Sequence, residues 1–433
     1  MRDTVCVVGG GYVGIVTAAG LAGLGHTVRV VEISPERLSA IAAGRSPIHE
    51  PGLDGLLAEV TANGRLRATA SMAEGVRDAG VVIIAVGTPP TADGDADLSQ
   101  VRTAVLEAAA SASPETVIAI KSTVPPGTTN HMQRLVASQG NPVVMCPEFL
   151  REGTALEDFH HPARLVVGGE VDGARRRVAA LFETLGGHVI LTDAVSAELI
   201  KYGTNAFLAL KISFINEIAH LCELTGGSVD AVADGMGMDP RVGRAFLNAG
   251  LGYGGSCFPK DVLALEAAAG YHGHSFWLLK AAVEVNSLQR RRFVGKVRAA
   301  LGGSVEGARI AVLGLAFKPG TDDMRKAPSI DVIRHLTDLG AEVVATDPVA
   351  LEAARPLLPD TELVAGAEEC VAGADAVVLV TEWPEYRALD WAAIAGTVRR
   401  RLVVDGRNCL DGAALSRLGF AYVSVGRKTL SPD

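Results

Sequence analysis

A lone cysteine, Cys257, stands in the run Gly250-Leu251-Gly252-Tyr253-Gly254-Gly255-Ser256-Cys257-Phe258-Pro259-Lys260-Asp261, behind several glycines and ahead of a lysine and a carboxylate. A thiol attacks as its thiolate, which neighbouring cations and helix N-termini stabilise. Glycines let a backbone wrap closely around a ligand or take positive φ values that other residues resist. A single cysteine is more often a small hydrophobe packed in a core. The glycines before Cys257 and the Lys260-Asp261 pair after it point instead to a reactive thiol. The same chain opens on Gly9-Gly10-Gly11-Tyr12-Val13-Gly14, which has the G-x-G-x-x-G spacing of a dinucleotide site. Hydride transfer joined to a nucleophilic thiol describes an oxidation that passes through an aldehyde and continues to an acid.

Lys201 and Asn205 lie four residues apart in a helical pattern and therefore share one face. A lysine and an amide so placed could stabilise an oxyanion or hold a water; a solvated polar stripe is the commoner meaning of such a pair. Glu148 and Glu152, in Cys146-Pro147-Glu148-Phe149-Leu150-Arg151-Glu152-Gly153, follow a strand end, as does Thr123 in Lys121-Ser122-Thr123-Val124-Pro125-Pro126-Gly127. Loops after the carboxyl ends of strands are where doubly wound sheets bind ligands. Further on, Gly314-Leu315-Ala316-Phe317-Lys318-Pro319-Gly320-Thr321-Asp322-Asp323-Met324-Arg325 offers Lys318 and Arg325 to an anion, and Asp405-Gly406-Arg407-Asn408 closes another strand.

The elements that must hold these residues follow from hydrophobic patterning. Thr4–Val8 reads as a buried strand, the glycine turn leads into a helix to about Leu24, and Thr27–Val31 is a second strand ending at Glu32. Strand, glycine turn, helix, strand and acid make the βαβ unit of a dinucleotide site, with the pyrophosphate at the helix N-terminus. A carboxylate at Glu32 accepts the adenosine ribose hydroxyls and repels a 2′-phosphate, favouring NAD over NADP, with Arg37 close by in sequence as a counterweight. Apolar runs at Val81–Val86, Val117–Lys121 and Pro142–Met145 alternate with helical segments and imply a parallel sheet covered on both faces. From Ser196 to about Gln289 the pattern is helical, chiefly at Glu198–Leu224 and Ser275–Gln289. After Gly302-Gly303 strands return at Arg309–Gly314, Ala341–Ala345, Ala374–Thr381 and Arg401–Asp405, with a helix at Ser329–Leu339. The expected fold is α/β, with two Rossmann-like doubly wound domains (1–195 and 301–433) joined by a helical middle domain (196–300).

A chain of 433 residues exceeds one ordinary core. A hydrophobic fraction of 48% and a charged fraction of 21% describe a globular protein, and a net charge of -9 argues against nucleic acid or an anionic membrane as partner. The six cysteines are scattered without a C-x-x-C pair, which fits neither a zinc site nor a disulfide framework; no metal is expected, and the compartment is reducing, most simply the cytoplasm. No stretch approaches 18 uncharged apolar residues, so no membrane span is expected.

Taken together, the G-x-G-Y-V-G turn, G-T-P-P at Gly87–Pro90, S-T-V-P-P-G-T, P-E-F-L-R-E-G, the Lys201–Asn205 helix, G-Y-G-G-S-C-F-P-K-D and F-K-P-G-T-D-D-M-R resemble the nucleotide-sugar dehydrogenases, in collinear order along nearly the whole chain. The resemblance implies oxidation of UDP-glucose by two NAD and water to UDP-glucuronate. Cys257 would form a thiohemiacetal and then a thioester, with Lys201 and Asn205 on the oxyanion. Asp261 and Lys201 would hold a water as base, Glu148 or Asp261 would assist hydrolysis, and Thr123 would orient water. It further implies that Gly9, Gly11, Tyr12, Val13, Gly14, Glu32, Arg37, Thr88, Thr123, Glu152, Lys260 and Arg325 contact NAD. The sugar nucleotide would meet Glu148, Phe149, Leu150, Arg151, Glu152, Lys201, Asn205, Phe246, Asn248, Tyr253, Gly254, Cys257, Phe317, Lys318, Arg325 and Arg407, with Arg407 near a pyrophosphate. A homodimer is implied, with Arg241 reaching the neighbouring subunit's site. Cys146, Gly203 and Leu210 depart from residues usual in the family. Other nucleotide sugars (dTDP-glucose, GDP-mannose or UDP-N-acetylmannosamine) are alternatives within the same chemistry. A non-catalytic NAD-binding redox sensor and a two-electron hydroxyacid dehydrogenase are alternatives outside it.

Overall fold

The computed structural model describes residues 3–432. Its first sheet has eight strands: β1 (Thr4–Val8), β2 (Thr27–Val31), β3 (Leu66–Thr69), β4 (Val81–Ile84), β5 (Val117–Ile120), β6 (Val143–Met145), β7 (Arg164–Gly168) and β8 (His188–Thr192). The order is β3-β2-β1-β4-β5-β6-β7-β8. The first six strands thus run 3-2-1-4-5-6, the doubly wound order that places a ligand crevice between β1 and β4. Successive residues of β1 serve opposite faces: Val5 and Val7 enter one core, Cys6 and Val8 the other. A continuous apolar strand is what a sheet covered on both sides requires.

The second sheet has six strands: β9 (Arg309–Leu313), β10 (Glu342–Thr346), β11 (Glu362–Leu363), β12 (Ala376–Leu379), β13 (Leu402–Asp405) and β14 (Ala421–Ser424), in the order β11-β10-β9-β12-β13-β14. All its pairings are parallel. The first sheet departs from the expected all-parallel form at one place, where β6 and β7 pair antiparallel through Met145 and Gly168.

Five strands lie outside the sequence expectation, and four of them (β3, β8, β11, β14) are the four sheet edges. Edge strands are short and bury one face or less; β8, for example, has three exposed residues followed by two half-buried ones. They therefore lack the unbroken apolar run that announces an inner strand.

The chain divides into two compact units, one made of the chain up to Thr204 with Leu263–His274, the other of Asn205–Val262 with the chain from Ser275 onward. In the second unit, Ile215, Ala219 and Cys222 of the long helix Ala194–Thr225 and Phe293 and Val297 of the helix Trp277–Ala300 share one core with Ile310, Val312 and Val378 of the second sheet. Among the described residues no helix is long and apolar enough to cross a membrane.

Candidate active site

In the first unit, β1 runs into the glycine turn. Gly9 takes φ +100°, and its amide donates to Val31 O at 2.8 Å. A Cβ on Gly14 would fall 1.8 Å from Gly9 O, so that glycine lets the helix Tyr12–Gly23 close onto the turn. Gly11, the residue before that helix, has nothing within 4 Å of where its Cβ would stand, leaving open approach to the helix N-terminus. Glu32 is buried at the end of β2; its carboxylate accepts from the Gly10 amide and the Ser34 amide, each at 2.8 Å. Arg37 is exposed on the helix that Ser34 caps. An open helix N-terminus beside a buried carboxylate at the strand end fits NAD, whose pyrophosphate the helix end would hold and whose ribose hydroxyls Glu32 would accept. Val13 lies in the helix's first turn, and Thr88 and Thr123 are buried in the loops after β4 and β5.

The loop after β6 carries Glu148, and the long helix carries Lys201. Their side chains meet at 2.7 Å with both nearly fully buried. Burial alone would raise the Glu148 carboxyl; the charge and hydrogen bond of Lys201, the Leu150 amide and Lys121 outweigh it and hold the group below the ordinary glutamate value. Phe149 sits beneath this pair, 5.5 Å from Lys201 Nζ and 3.9 Å from the Arg164 guanidinium carbon. Arg151 turns outward to pair with Asp158 at 2.5 Å. Glu198, which the sequence reading did not single out, is buried one turn before Lys201 and accepts from the Gly127 amide, the Thr129 amide and the Thr129 hydroxyl. Its carboxyl is raised by burial against those hydrogen bonds. Glu198 thereby holds the turn that follows Thr123.

The second unit holds Cys257 immediately before the helix Phe258–Tyr271; its carbonyl accepts from the Asp261 amide at 2.8 Å, and the Ser256 hydroxyl lies 3.6 Å from its sulfur. Burial raises Cys146, opposed by Lys121, and pushes Cys6 and Cys370 to about 12. Asp261, buried in the same first turn, receives Asn205 Nδ2 at 2.6 Å and Lys260 Nζ at 2.5 Å. The structure thus joins Asn205 to Asp261, and Lys201 to Glu148.

The glycines before Cys257 make room for protein. A Cβ on Gly252 would stand 2.2 Å from Asn286 Oδ1, one on Gly254 2.4 Å from Lys326 O, and one on Gly255 2.7 Å from the Phe317 ring. Three buried amides clamp the loop: Asn216 accepts from the Gly250 amide, Gln289 donates to Gly250 O, and Asn286 bonds both the amide and the carbonyl of Tyr253. Asn216 lies on the same helical pattern as Lys201 and Asn205; sequence reasoning missed Asn286 and Gln289. The available signal was two amides, Asn286 and Gln289, in line with Leu279, Ala282 and Phe293 on the buried face of one helix.

Phe317 therefore packs on the cysteine loop, with Lys318 Nζ 5.4 Å from its ring, and the Arg325 carbonyl accepts from the Gly255 amide at 3.0 Å. Arg407 donates to the carbonyls of Val380, Gly252 and Phe317 and pairs with Glu382 at 3.1 Å, which makes it a clamp between three segments. Tyr253 is buried edge-on against Phe258, and Phe246 lies 6.1 Å from the same ring at φ 64°, a conformation that bulky residues rarely adopt. Asn248 accepts from Arg244 at 2.7 Å. Arg241 is exposed and pairs with Asp239, two residues before it, at 2.5 Å. The acid after β10, Asp347, is buried and accepts from the Leu315, Ala316, Val349 and Ala350 amides and Trp383 Nε1. Its two oxygens are thus committed to five protein donors. Among the described residues no cluster of His, Cys, Asp or Glu could hold a metal ion.

Three family models match this chain. They are described as the NAD binding domain (residues 3–186), the central domain (195–288) and the UDP binding domain (311–412) of the UDP-glucose/GDP-mannose dehydrogenase family. The chain is 46% identical to a UDP-glucose 6-dehydrogenase of Rhizobium meliloti, over 98% of this chain and 99% of that one. It is 44% identical to the UDP-glucose 6-dehydrogenase YwqF of Bacillus subtilis, over 99% of each. Among solved structures, a UDP-glucose dehydrogenase from the hyperthermophilic archaeon Pyrobaculum islandicum superposes with a TM-score of 0.92 at 38% identity, covering 99% of this chain and 98% of that one.

Proposed function

The chain belongs to the UDP-glucose/GDP-mannose dehydrogenase family, with NAD as cofactor and a nucleotide sugar as substrate, and on that premise we propose that it oxidises UDP-glucose to UDP-glucuronate through a covalent bond to Cys257. The observation that carries the proposal is the thiol's place at a helix N-terminus, with the buried Asn205–Asp261 pair in the first turn of that helix. NAD supplies the hydride acceptor for both oxidations. Asp261 and Lys201 hold the water that takes the proton of the primary alcohol. Cys257 Sγ then adds to the aldehyde carbon, and the oxyanion of the resulting thiohemiacetal is stabilised by Lys201 and Asn205. The second oxidation leaves a thioester. Water oriented by Thr123 and assisted by Glu148 or Asp261 breaks its C–S bond, releasing the acid and returning the proton to sulfur. Phe317, Lys318, Arg325 and the Glu148–Glu152 loop hold the sugar nucleotide.

The protein acts as a homodimer. Phe207, Phe214 and Leu221, spaced by seven along the long helix, are 60%, 47% and 54% exposed, an apolar stripe that a second copy would cover. Arg241, paired with Asp239 of its own loop, then reaches the partner's pocket. No disulfide joins the described cysteines, which fits a reducing compartment such as the cytoplasm.

The test is the number of NADH released per sugar across UDP-glucose, dTDP-glucose, GDP-mannose and UDP-N-acetylmannosamine. Two per UDP-glucose, at the highest kcat/KM of the panel, is expected. One would indicate a simple dehydrogenase and none a sensor. Sedimentation of Phe214→Glu, expected to shift the protein toward monomer, tests the assembly.

A further inference from the structure

Glu50 takes no part in the chemistry above, yet it is buried, and three donors converge on it within the first unit. Its Oε1 accepts from the Ala155 amide and its Oε2 from the Gly153 amide, each at 2.7 Å. The hydroxyl of Tyr12, first residue of the helix that opens the cofactor turn, donates to the same Oε2. The Gly153 amide also reaches the Tyr12 oxygen at 3.0 Å, so tyrosine, glutamate and amide close a triangle. Burial raises the Tyr12 hydroxyl far above its usual range, and the hydrogen bond and charge of Glu50 raise it further, so it stays a donor. Gly153 takes φ +79°, the turn that aims its amide inward directly after Glu152.

Only a carboxylate suits this place. An ionised carboxylate is acceptor-only, whereas a glutamine would turn an NH2 group toward an N–H or O–H donor. Glu50 is 38 residues from Tyr12 and 103 from Gly153 in sequence, so the junction joins three separate segments.

We propose that Glu50 is a positioning residue that ties the NAD-binding turn, through Tyr12, to the Glu148–Gly153 loop, so that NAD and the nucleotide sugar each favour binding of the other. The physical reason is shared ordering: a ligand that fixes Tyr12 also fixes Glu50 and with it the Gly153 and Ala155 amides, leaving less order for the second ligand to impose. Such coupling is reciprocal. The inference rests on the reading of the turn as the NAD site and of the loop as part of the sugar site.

The test uses the full-length protein and NADH with UDP-glucose, a pair that cannot react. NADH affinity is measured by its fluorescence with and without saturating UDP-glucose, and the ratio is the coupling factor. The wild type should bind NADH about fivefold or more tightly in the presence of the sugar, within the usual range of such couplings. Tyr12→Phe and Glu50→Gln should each bring the ratio toward one, and the double variant should be no worse than Glu50→Gln alone. Thermal unfolding of each variant is recorded alongside. A lowered melting temperature with the ratio unchanged would make Glu50 a structural cap and overturn the proposal. So would a wild type that oxidises UDP-glucose yet has a ratio of one. A wild type that binds NADH but oxidises no UDP-glucose would fail the functional reading itself, and this inference with it.

Discussion

Replacing Lys201 by methionine should destabilise the first unit strongly, and the size follows from the pair it forms. Lys201 Nζ and Glu148 Oε1 are 2.7 Å apart, with the two side chains 4% and 6% exposed. At an effective dielectric of about 20 their attraction is about 6 kcal/mol. Desolvation of both ions offsets much of that gain, so the intact pair contributes modestly, whereas removing one partner strands a buried charge at a cost of about 3–5 kcal/mol. Lys201→Met keeps the apolar stem near Phe149, so the loss is chiefly electrostatic, and Lys201→Met/Glu148→Gln should recover most of it. The pH dependence has a definite sign. The folded Glu148 carboxyl lies below its ordinary value of 4.5. Its contribution in the wild type is therefore complete above that value and is lost as pH falls through the folded pKa. In the variant, burial unopposed by Lys201 favours the neutral acid, so the gap between the two proteins should close on acidification. Urea unfolding followed by circular dichroism, with the transition that shifts between the single and double variants assigned to the first unit, measures this. A variant as stable as the wild type near neutral pH, or a double variant no better than the single one, would refute the reasoning.

Cys257→Ser should bind NADH normally yet form no UDP-glucuronate; near-normal acid production would remove the thiol from the mechanism. Gly255→Ala forces a Cβ to 2.7 Å from the Phe317 ring at φ +83°, so kcat/KM should fall and the melting temperature should drop by the equivalent of more than about 1 kcal/mol; unchanged values would mean that the loop yields freely. Asn286→Asp places an acceptor against Tyr253 O in place of the present donor at 3.0 Å, so iodoacetamide should alkylate Cys257 at an altered rate while overall fold by circular dichroism is kept. An unaltered rate would show that the clamp does not position the thiol. Glu32→Gln should narrow the preference for NAD over NADP in kcat/KM, and a preference unmoved by that change would assign it to another group.

The sequence alone was enough wherever the determinants are contiguous. Val5–Val8, the glycine turn and Glu32 lie within one βαβ unit, so backbone periodicity and a single acid are enough to propose a dinucleotide site there without any long-range contact. Cys257 and Asp261 are likewise one helical turn apart, and their relation is set by the helix they begin. Tertiary structure decided what spacing cannot: that Glu148 pairs with Lys201 53 residues away, and that Asp261 takes Asn205 across 56. It also decided why the cysteine loop is rich in glycine. Asn286, Lys326 and Phe317 press on that backbone from elements distant in sequence, and nothing local marks the pressure. The edge strands were hidden for the converse reason, since a strand half open to water keeps too few apolar residues to stand out. A buried carboxylate such as Glu50 or Glu198 looks like any surface acid in the sequence. Only the fold, by removing water and aiming backbone amides at it, makes it a junction.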